Sequence, residues 1–378
     1  MNLKSGSEHE SSNVDKQRRK LLEVAGAGVV LASLGTSVTA CAEDDRPAPA
    51  KAVRWGVIGT GGIANRMAPR LTEAEGAKLA AVSSRRMSSA REFADKHGAA
   101  HAFDDWRAMI ASDVIDAVYI ATPTSVREEI GVAAAGEGKH VLGEKPFASL
   151  ESLQRITAAC AEHGVGFMDG THFPHLSRTR KIRQDMAGLA GRPWSVASAF
   201  QFGLSNTGNI RLRPDLEPYG AIGDTGWYNM RAAVEFLPND VELVSSDAYL
   251  QRESMNNAVI CASGVMHFSD GSTSTWNCGF NSGGLVQDLR ITGPDGVIWM
   301  SDFVTIRGAP ANERFRHQQG GRSEESEIPF TKQAPTLMFE DFARMVDDPE
   351  MFEASVRASE RTQAWLDAAW ESAVSNET

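Results

Sequence analysis

The 378-residue chain is poor in the residues that build cross-linked or metal-held domains. It has four cysteines, and no two of them form a C-x-x-C pair. This scarcity argues against a zinc site or a disulfide framework. Cys160 lies in an apolar helical pattern, where we expect a small core residue. Cys261 and Cys278 fall on two strands of a predicted hairpin turning at Asp270-Gly271. Pairing about that turn sets them diagonally, too far apart for an easy bridge.

The chain also lacks an excess of basic residues over acidic ones. The chain has 38 Lys and Arg against 49 Asp and Glu, a formal net charge of -11. Proteins that bind the phosphate backbone of nucleic acids usually present a basic face, so this balance argues against that class. With 42% hydrophobic and 23% charged residues, the composition is that of a soluble globular protein, and the length suits two domains. The sequence contains no internal repeat.

The first 42 residues differ in kind from the rest. Arg18-Arg19 stands in a charged stretch, and an uncharged apolar run from Val24 to Ala40 follows it. This order predicts an export signal rather than a core element or a membrane span. The arginine pair followed by Lys-Leu-Leu resembles a twin-arginine signal, although Gln17 and Leu21 depart from the usual pattern. An ordinary secretory leader is the alternative. We therefore expect a periplasmic protein.

The end of the export signal allows two interpretations. Residues 38–41 (VTAC) resemble a lipobox, which would make Cys41 a lipid-anchored first residue. Residues 40–42 (ACA) also fit a small-residue cleavage site, which would release a soluble protein. Residues 43–52 are rich in Pro and Ala and predict a linker.

A dinucleotide-binding unit is predicted over residues 53–170. The apolar stretch at 53–58 runs into GTGGIA, a G-x-G-x-x-A pattern that opens a helical stretch. Gly59 allows the tight turn, Gly61 lets the backbone approach a pyrophosphate, and Ala64 lets the helix pack closely. The motif is weak alone, but here it lies between a strand and a helix, as its chemistry requires. The predicted contacts from this turn are Gly59, Thr60, Gly61, Gly62 and Ile63.

The end of the next strand distinguishes two cofactors. An acidic residue there would bond the ribose 2′-hydroxyl, but this chain has Ser83-Ser84-Arg85-Arg86. Two hydroxyls and two guanidinium groups suit a 2′-phosphate, so we predict NADP rather than NAD. A solvated basic turn is the alternative.

Two further strands end in residues that can reach the nicotinamide. Thr122-Pro123 ends the strand 117–123, and Glu144-Lys145 ends the strand HVLGEKP. Ligands bind at the carboxyl edge of open parallel sheets, and Pro146 keeps Lys145 out of helical geometry. The predicted cofactor contacts here are Ala121, Thr122, Pro123, Glu144 and Lys145.

These stretches resemble the Gfo/Idh/MocA oxidoreductase family. The resemblance is carried by GVIGTGGIA, DAVYIATPTS, GKHVLGEKPFA and GAIGDTGWYNMRAAVEF, and it spans nearly all of residues 53–372. It implies an α/β fold: a Rossmann-type domain followed by an α/β domain with a large, mostly antiparallel sheet. It also implies a cis Lys145–Pro146 bond and homo-oligomers formed through that sheet.

The region 171–372 is predicted to form the substrate-binding and oligomerisation domain. Alternating extended runs with D-G turns indicate the antiparallel sheet, and helices are predicted around 336–347 and 351–373. Between strands, Asp224 and Tyr228 are four apart and would share a helix face. Many family members have histidine where Tyr228 stands, and this departure resembles the branch of glucose–fructose oxidoreductase and dimeric dihydrodiol dehydrogenase. The alternative is a helix cap and a core tyrosine.

The resemblance also suggests substrate contacts. The stretch around 172–179, which brings His172, His175 and Arg178, resembles an H-x-x-R-T element of the same branch at residues 175–179. Arg127 replaces a histidine often present in the family, which puts a role at that position in doubt. The predicted substrate contacts are His175, Arg178 and Trp227, and no metal site is predicted.

Together these features predict an exported NADP-dependent oxidoreductase acting on a sugar or polyol. Tyr228 would be the acid/base, Lys145 would hold the reacting hydroxyl and lower the pKa of Tyr228, and Asp224 would orient them. An exported enzyme would keep its nucleotide bound and regenerate it by coupling aldose oxidation to reduction of a second sugar. The alternatives are a redox-neutral nicotinamide-dependent glycoside hydrolase and a non-catalytic nucleotide-binding protein.

Overall fold

The structure, a computed structural model, describes residues 51–346 and 349–377. The predicted export signal and residues 43–50 of the predicted linker lie outside this range. Within it, no helix is both long enough and apolar enough to cross a membrane.

Six parallel strands form the first sheet, in the order β3-β2-β1-β4-β5-β6. The strands are short runs of largely buried residues, as expected for a parallel sheet covered on both faces. The strands are β1 (Val53–Ile58), β2 (Ala77–Ser83), β3 (His101–Phe103), β4 (Ala117–Ile120), β5 (His140–Gly143) and β6 (Phe167–Asp169). The helices between them are α1 (Gly62–Glu73), α2 (Met87–His97), α3 (Trp106–Ile110), α4 (Arg127–Gly136) and α5 (Leu150–Glu162).

The strand order reverses between β1 and β4, which opens a crevice at the carboxyl edge of the sheet. Gly59 follows β1 in a left-handed conformation, with φ at 103°. A Cβ atom there would lie 2.9 Å from the carbonyl oxygen of Ala121. The turn therefore requires glycine for both its backbone angle and its close approach to β4.

Eight strands form the second sheet, in the order β14-β13-β12-β11-β7-β10-β9-β8. Only β10 and β7 pair in parallel, so the predicted mostly antiparallel sheet is confirmed. The strands are β7 (Ser195–Gly203), β8 (Leu243–Arg252), β9 (Val259–Phe268), β10 (Thr273–Gly279), β11 (Asn281–Thr292), β12 (Val297–Met300), β13 (Asn312–Gln319) and β14 (Arg322–Pro329).

Helices cover one face of this sheet and leave the other open. The helices of this region are α6 (Ser177–Leu189), α7 (Trp227–Phe236), α8 (Ala334–Met345) and α9 (Pro349–Ser375). Helices α7 and α9 pack on the covered face. Helix α8 follows the second sheet in the chain but packs on the core of the first, where Phe339 and Phe342 contact Trp55 at ring-centroid distances of 5.3 and 4.6 Å.

The cysteines within the described residues lie as predicted. Cys160 is buried in the core, and none of the three is in a disulfide. On the β9–β10 hairpin, Cys261 pairs with Gly279 and Cys278 pairs with Ala262, which is the expected diagonal arrangement.

Candidate active site

Three neighbouring strand ends meet at the carboxyl edge of the parallel sheet. Thr122 follows β4, Lys145 follows β5 and His172 follows β6. The second sheet's α7 and the turn before it close over these residues and add Asp224 and Tyr228. The predicted catalytic residues Lys145, Asp224 and Tyr228, which come from distant parts of the chain, therefore form one cluster.

Lys145 is held in one orientation by backbone and side-chain contacts. The Lys145–Pro146 peptide bond is cis, as the family resemblance implied. The side chain is only 7% exposed, and Nζ donates hydrogen bonds to Oδ1 of Asp224 at 2.7 Å and to its carbonyl oxygen at 2.8 Å. The ammonium is thus fixed at the site rather than free in solvent.

Asp224 binds two cations. Its Oδ2 accepts a hydrogen bond from Nε of Arg211 at 2.5 Å, while Oδ1 binds Lys145. Burial alone would raise the pKa of Asp224, but Lys145 and Arg211 outweigh burial and hold that pKa well below its usual range. Asp224 lies in a π-helical turn, Ile222–Gly226, rather than in the first turn of α7. Its carboxylate is therefore an anchor for cations and a poor proton acceptor.

Tyr228 lies in the first turn of α7 beneath Lys145. The lysine Nζ is 4.8 Å from the centre of the Tyr228 ring, so the cation faces the ring rather than the hydroxyl. Burial first, then the charges of Glu144 and Asp224, raise the pKa of Tyr228 well above its ordinary value. The expectation that Lys145 lowers this pKa is therefore wrong, because desolvation and nearby carboxylates dominate. Tyr228 keeps its proton at neutral pH.

His172 makes the contact to the tyrosine hydroxyl. Its Nε2 lies 3.2 Å from the Tyr228 oxygen. Burial lowers the pKa of His172 to about 3, with further lowering from Lys145, His175 and Arg66. The imidazole is therefore neutral at physiological pH.

The glycine turn leaves room for a dinucleotide. A Cβ atom added at Gly61 or Gly62 would meet nothing within 4 Å, so the space beside the start of α1 is open. Thr60 Oγ1 lies 3.2 Å from Ser84 Oγ, which joins the turn to the end of β2. On the opposite side of the crevice, Thr122 Oγ1 is buried without a hydrogen-bond partner among the described residues. This orphaned hydroxyl and the open turn fit a bound nicotinamide nucleotide.

The predicted 2′-phosphate residues divide into two groups. Ser84 and the exposed guanidinium groups of Arg85 and Arg86 lie at the carboxyl end of β2. Arg86 lies at the N-cap position of α2 without a capping side-chain bond, and its Nε donates to Ser89 Oγ at 3.3 Å. Arg85 has no hydrogen-bond or ion-pair partner within the described part of the chain. Ser83 is 2% exposed, and its carbonyl accepts the Gly59 N–H. Its predicted hydroxyl contact is therefore wrong, since Ser83 supports the turn from inside.

Glu144 does not present its side chain to the crevice. Its carboxyl group accepts a hydrogen bond from Tyr119 at 2.5 Å, and burial raises the pKa of Glu144. Beside it, Arg127 is buried and donates to the carbonyl oxygens of Thr122 and Pro146. Arg127 thus ties together two of the strand ends. Ala121 and Pro123 flank Thr122, and Ile63 is half-buried in the first turn of α1.

Two of the three predicted substrate contacts are wrong. Arg178 is fully buried and bonds Asp302 and the carbonyl oxygen of Arg314, so it joins α6 to the second sheet. Trp227 is also fully buried, and its Nε1 donates to Thr171 Oγ1 at 2.6 Å. Packing between distant elements hides both side chains.

The third predicted contact, His175, is 13% exposed, and its Nδ1 lies 2.5 Å from Oδ2 of Asp341. Its contact with substrate stays a prediction. No cluster of three potential metal ligands is present within the described residues.

Sequence patterns missed one site residue, Arg211, and the role of another, His172. Arg211 lies in a 3₁₀ turn, Ile210–Leu212, within a long irregular connection, and no spacing relates it to Asp224. His172 was named from the sequence only as part of the stretch before the H-x-x-R-T element, and its contact with Tyr228 was not predicted.

The comparisons with known proteins agree with this geometry. Residues 53–171 match the family described as "Oxidoreductase family, NAD-binding Rossmann fold", and residues 179–299 match "GFO/IDH/MocA C-terminal domain". A dTDP-3,4-didehydro-2,6-dideoxy-alpha-D-glucose 3-reductase from Actinomadura kijaniata is 31% identical over 69% of this chain and 78% of that protein. A scyllo-inositol 2-dehydrogenase (NADP(+)) from Bacillus subtilis (strain 168) is 31% identical over 79% and 90%. A solved 3-ketoreductase from Actinomadura kijaniata with NADP and TDP-benzene is 26% identical, with a TM-score of 0.75, covering 85% of this chain and 98% of that one.

The fold and the site define an oxidoreductase with a dinucleotide crevice at the carboxyl edge of a parallel sheet, next to a mostly antiparallel sheet. The chain belongs to the Gfo/Idh/MocA oxidoreductase family, as its motifs indicated.

Proposed function

We propose that this protein is an NADP-dependent oxidoreductase acting on a CH–OH or carbonyl carbon of a sugar or polyol. The observation that carries the proposal is the cluster of Lys145, Asp224 and Tyr228 beside the open glycine turn. The two relatives support the substrate class, since one reduces a nucleotide-linked sugar and the other oxidises an inositol. The solved relative that holds NADP supports the cofactor.

The residues divide the chemistry as follows. Bound NADP(H) supplies or accepts the hydride. Tyr228 keeps its proton at neutral pH and can donate it to a substrate carbonyl oxygen, which suits the reductive direction. Lys145 holds a positive charge over the Tyr228 ring, 4.8 Å from its centre, and this charge would stabilise the negative charge that develops as the proton moves. Asp224 holds Lys145 in place instead of taking a proton itself.

The preference for NADP comes from the end of β2. Arg85 and Arg86 offer exposed guanidinium groups, and Ser84 adds a hydroxyl. No described acidic side chain within residues 83–86 would repel a 2′-phosphate. Charge-assisted, often bidentate hydrogen bonds would hold that phosphate.

A screen of ketoses, aldoses and polyols with NADP and NADPH tests the function. We expect turnover with at least one of them, lost in Lys145→Ala and Tyr228→Phe and kept in the exposed controls Lys78→Ala and Tyr249→Phe. Release of free sugar from an aryl glycoside without net nicotinamide reduction would instead indicate the redox-neutral hydrolase. Nucleotide binding with no turnover of any substrate would indicate a binding protein.

The predicted export signal at residues 1–42 supports a second part of the proposal, that the protein is exported folded with NADP(H) bound. Outside the cytoplasm no free NADP pool is expected, so such an enzyme would couple oxidation of one aldose to reduction of a second sugar. Unfolding the purified protein and assaying the supernatant for NADP(H) tests this. Empty protein that turns over only with added nucleotide would contradict it.

Anchoring and assembly are further parts of the proposal. Mass spectrometry of the mature N-terminus distinguishes a lipidated Cys41 from cleavage after Ala42.

The open face of the second sheet, with small residues at Ala197 and Ala199 and Tyr249 58% exposed, suits contact with a second copy of the chain. Light scattering of wild type and Tyr249→Glu tests this, and two monomeric samples would contradict it.

A further inference from the structure

His172 has one ring nitrogen at the tyrosine and one with no partner. Nε2 lies 3.2 Å from the Tyr228 oxygen, and Nδ1 is buried with no hydrogen-bond partner among the described residues. A neutral imidazole carries one proton, either on Nε2 or on Nδ1. With the proton on Nε2, His172 donates a hydrogen bond to the Tyr228 oxygen. With the proton on Nδ1, Nε2 accepts a hydrogen bond from the Tyr228 hydroxyl.

The burial of Nδ1 decides between them. A proton on Nδ1 would be a buried N–H without an acceptor, which is rarer and costlier than a bare acceptor nitrogen. A proton on Nε2 avoids this and makes His172 the donor to the Tyr228 oxygen. The tyrosine's own proton is then free to point away from His172, towards the crevice.

Neighbouring hydrogen bonds hold the rings of His172 and Tyr228 in place relative to each other. The residues one position earlier in each segment are also joined, since Trp227 Nε1 donates to Thr171 Oγ1 at 2.6 Å. Thr171 is in turn fixed by Asp169, whose Oδ1 accepts its backbone N–H at 2.8 Å and its hydroxyl. Paired bonds at successive residues leave the His172–Tyr228 contact little freedom to break.

We propose that His172 is a positioning residue that acts through Tyr228 as an Nε2–H donor, and this inference rests on the proposed function. In reduction, the Tyr228 O–H bond breaks and the substrate O–H bond forms as the hydride reaches carbon. The negative charge left on the phenol oxygen is then stabilised by the Nε2–H of His172. Solvent returns the proton afterwards, so atoms and charges balance.

Several charged or titratable groups influence the pKa values of His172 and Tyr228. Those that influence His172 are Lys145, His175 and Arg66, and those that influence Tyr228 are Glu144, Asp224, Arg211 and Asp169. None of them makes a hydrogen bond with Nδ1 of His172 within the described residues.

A spectroscopic test needs no turnover. In protein labelled with ¹⁵N-histidine, the His172 signals are those that vanish in His172→Gln. We expect a proton on Nε2 and a bare Nδ1 at neutral pH. A proton on Nδ1, or on both nitrogens, would overturn the proposal. If the tautomer is as expected but no substrate is turned over, the proposed function fails while the hydrogen-bond assignment stands.

A kinetic pair completes the test. His172→Leu removes the donor and should lower kcat roughly 10- to 100-fold with little change in KM, the range expected for losing a hydrogen bond to a charged group. His172→Gln places an amide N–H near the position of Nε2 and should recover most of the loss. Equal loss in both variants, or full kcat in His172→Leu, would overturn the proposal. Circular dichroism establishes that both variants are folded.

Discussion

The ammonium nitrogen of Lys145 lies 2.7 Å from a carboxylate oxygen of Asp224, although 79 positions separate the two residues in the chain. Their side chains are 7% and 17% exposed, so neither charge is well solvated alone. The pair joins the end of β5 to the turn before α7 and brings the Rossmann-type sheet and the second sheet together over the crevice.

Asp224→Asn should therefore destabilise the protein. The substitution leaves Lys145 and Arg211 without their carboxylate, and breaking a mostly buried pair costs about 3 kcal/mol. We expect a fall of that size in the free energy of unfolding, measured with urea at neutral pH. The matched control is Asp215→Asn, which breaks an exposed pair with Arg213 and should cost less than about 1 kcal/mol. Equal stability of Asp224→Asn and wild type would contradict the prediction.

The arginines after β2 should discriminate between nucleotides. Arg85→Ala combined with Arg86→Ala should weaken NADP binding by about 10- to 100-fold, because charge-assisted bonds to the 2′-phosphate are lost. NAD binding should change little, since NAD lacks that phosphate. Titration calorimetry with both nucleotides measures this, and Arg91→Ala, an exposed arginine in α2, is the control. Equal weakening for NAD and NADP would show that the arginines do not read the phosphate.

Arg178 should matter for stability and not for substrate binding. Its guanidinium is fully buried and bonds Asp302 and the Arg314 carbonyl. Arg178→Met leaves these acceptors without their donor and should lower the free energy of unfolding by about 1 to 3 kcal/mol, the cost of losing hydrogen bonds to a charged group. We expect KM to stay within about twofold of wild type, as for the exposed control Arg91→Met; a change of that size is below about 0.5 kcal/mol. A large rise in KM with unchanged stability would restore the substrate role suggested by the family pattern.

The lowered pKa of His172 should make the free energy of unfolding depend on pH. Its pKa falls from 6.5 to about 3 on folding, chiefly through burial. The unfolded chain takes up this proton below about 6.5, whereas the folded protein does not until about 3. The stability is therefore full above pH 6.5 and is lost progressively as pH falls towards 3.

Urea unfolding of wild type and His172→Gln across this window isolates the effect. The free energy of unfolding of wild type should fall more steeply with decreasing pH than that of the variant. Parallel curves would mean that the imidazole is solvated enough to titrate normally.

Much of the framework was predictable from local pattern. The glycine turn, the apolar strands and the residues at their carboxyl ends identify the crevice, because the edge of a parallel sheet follows from strand direction alone. Lys145 and Asp224 could be assigned to one site only with the family resemblance, since their contact is between distant segments. The tyrosine at position 228 was located correctly, but its environment was not.

The errors have a common physical cause. Burial depends on tertiary packing, and burial decides the pKa of Tyr228, the position of Ser83 inside the first sheet and the roles of Arg178 and Trp227. Arg211 belongs to an irregular connection that carries no periodic signal. Its position beside Asp224 depends on how that connection folds over the crevice.

The most direct measurement follows a deuterium atom and a proton separately. With NADPH deuterated at the transferring position of the nicotinamide, wild-type protein should place deuterium on the substrate carbon. Tyr228→Phe should keep nucleotide and substrate binding but lose about 10²- to 10⁴-fold in the rate of that transfer, while the exposed control Tyr249→Phe should keep it. Undiminished transfer in Tyr228→Phe, or no deuterium on carbon in wild type, would contradict a site in which a buried phenol beside Lys145 manages the proton.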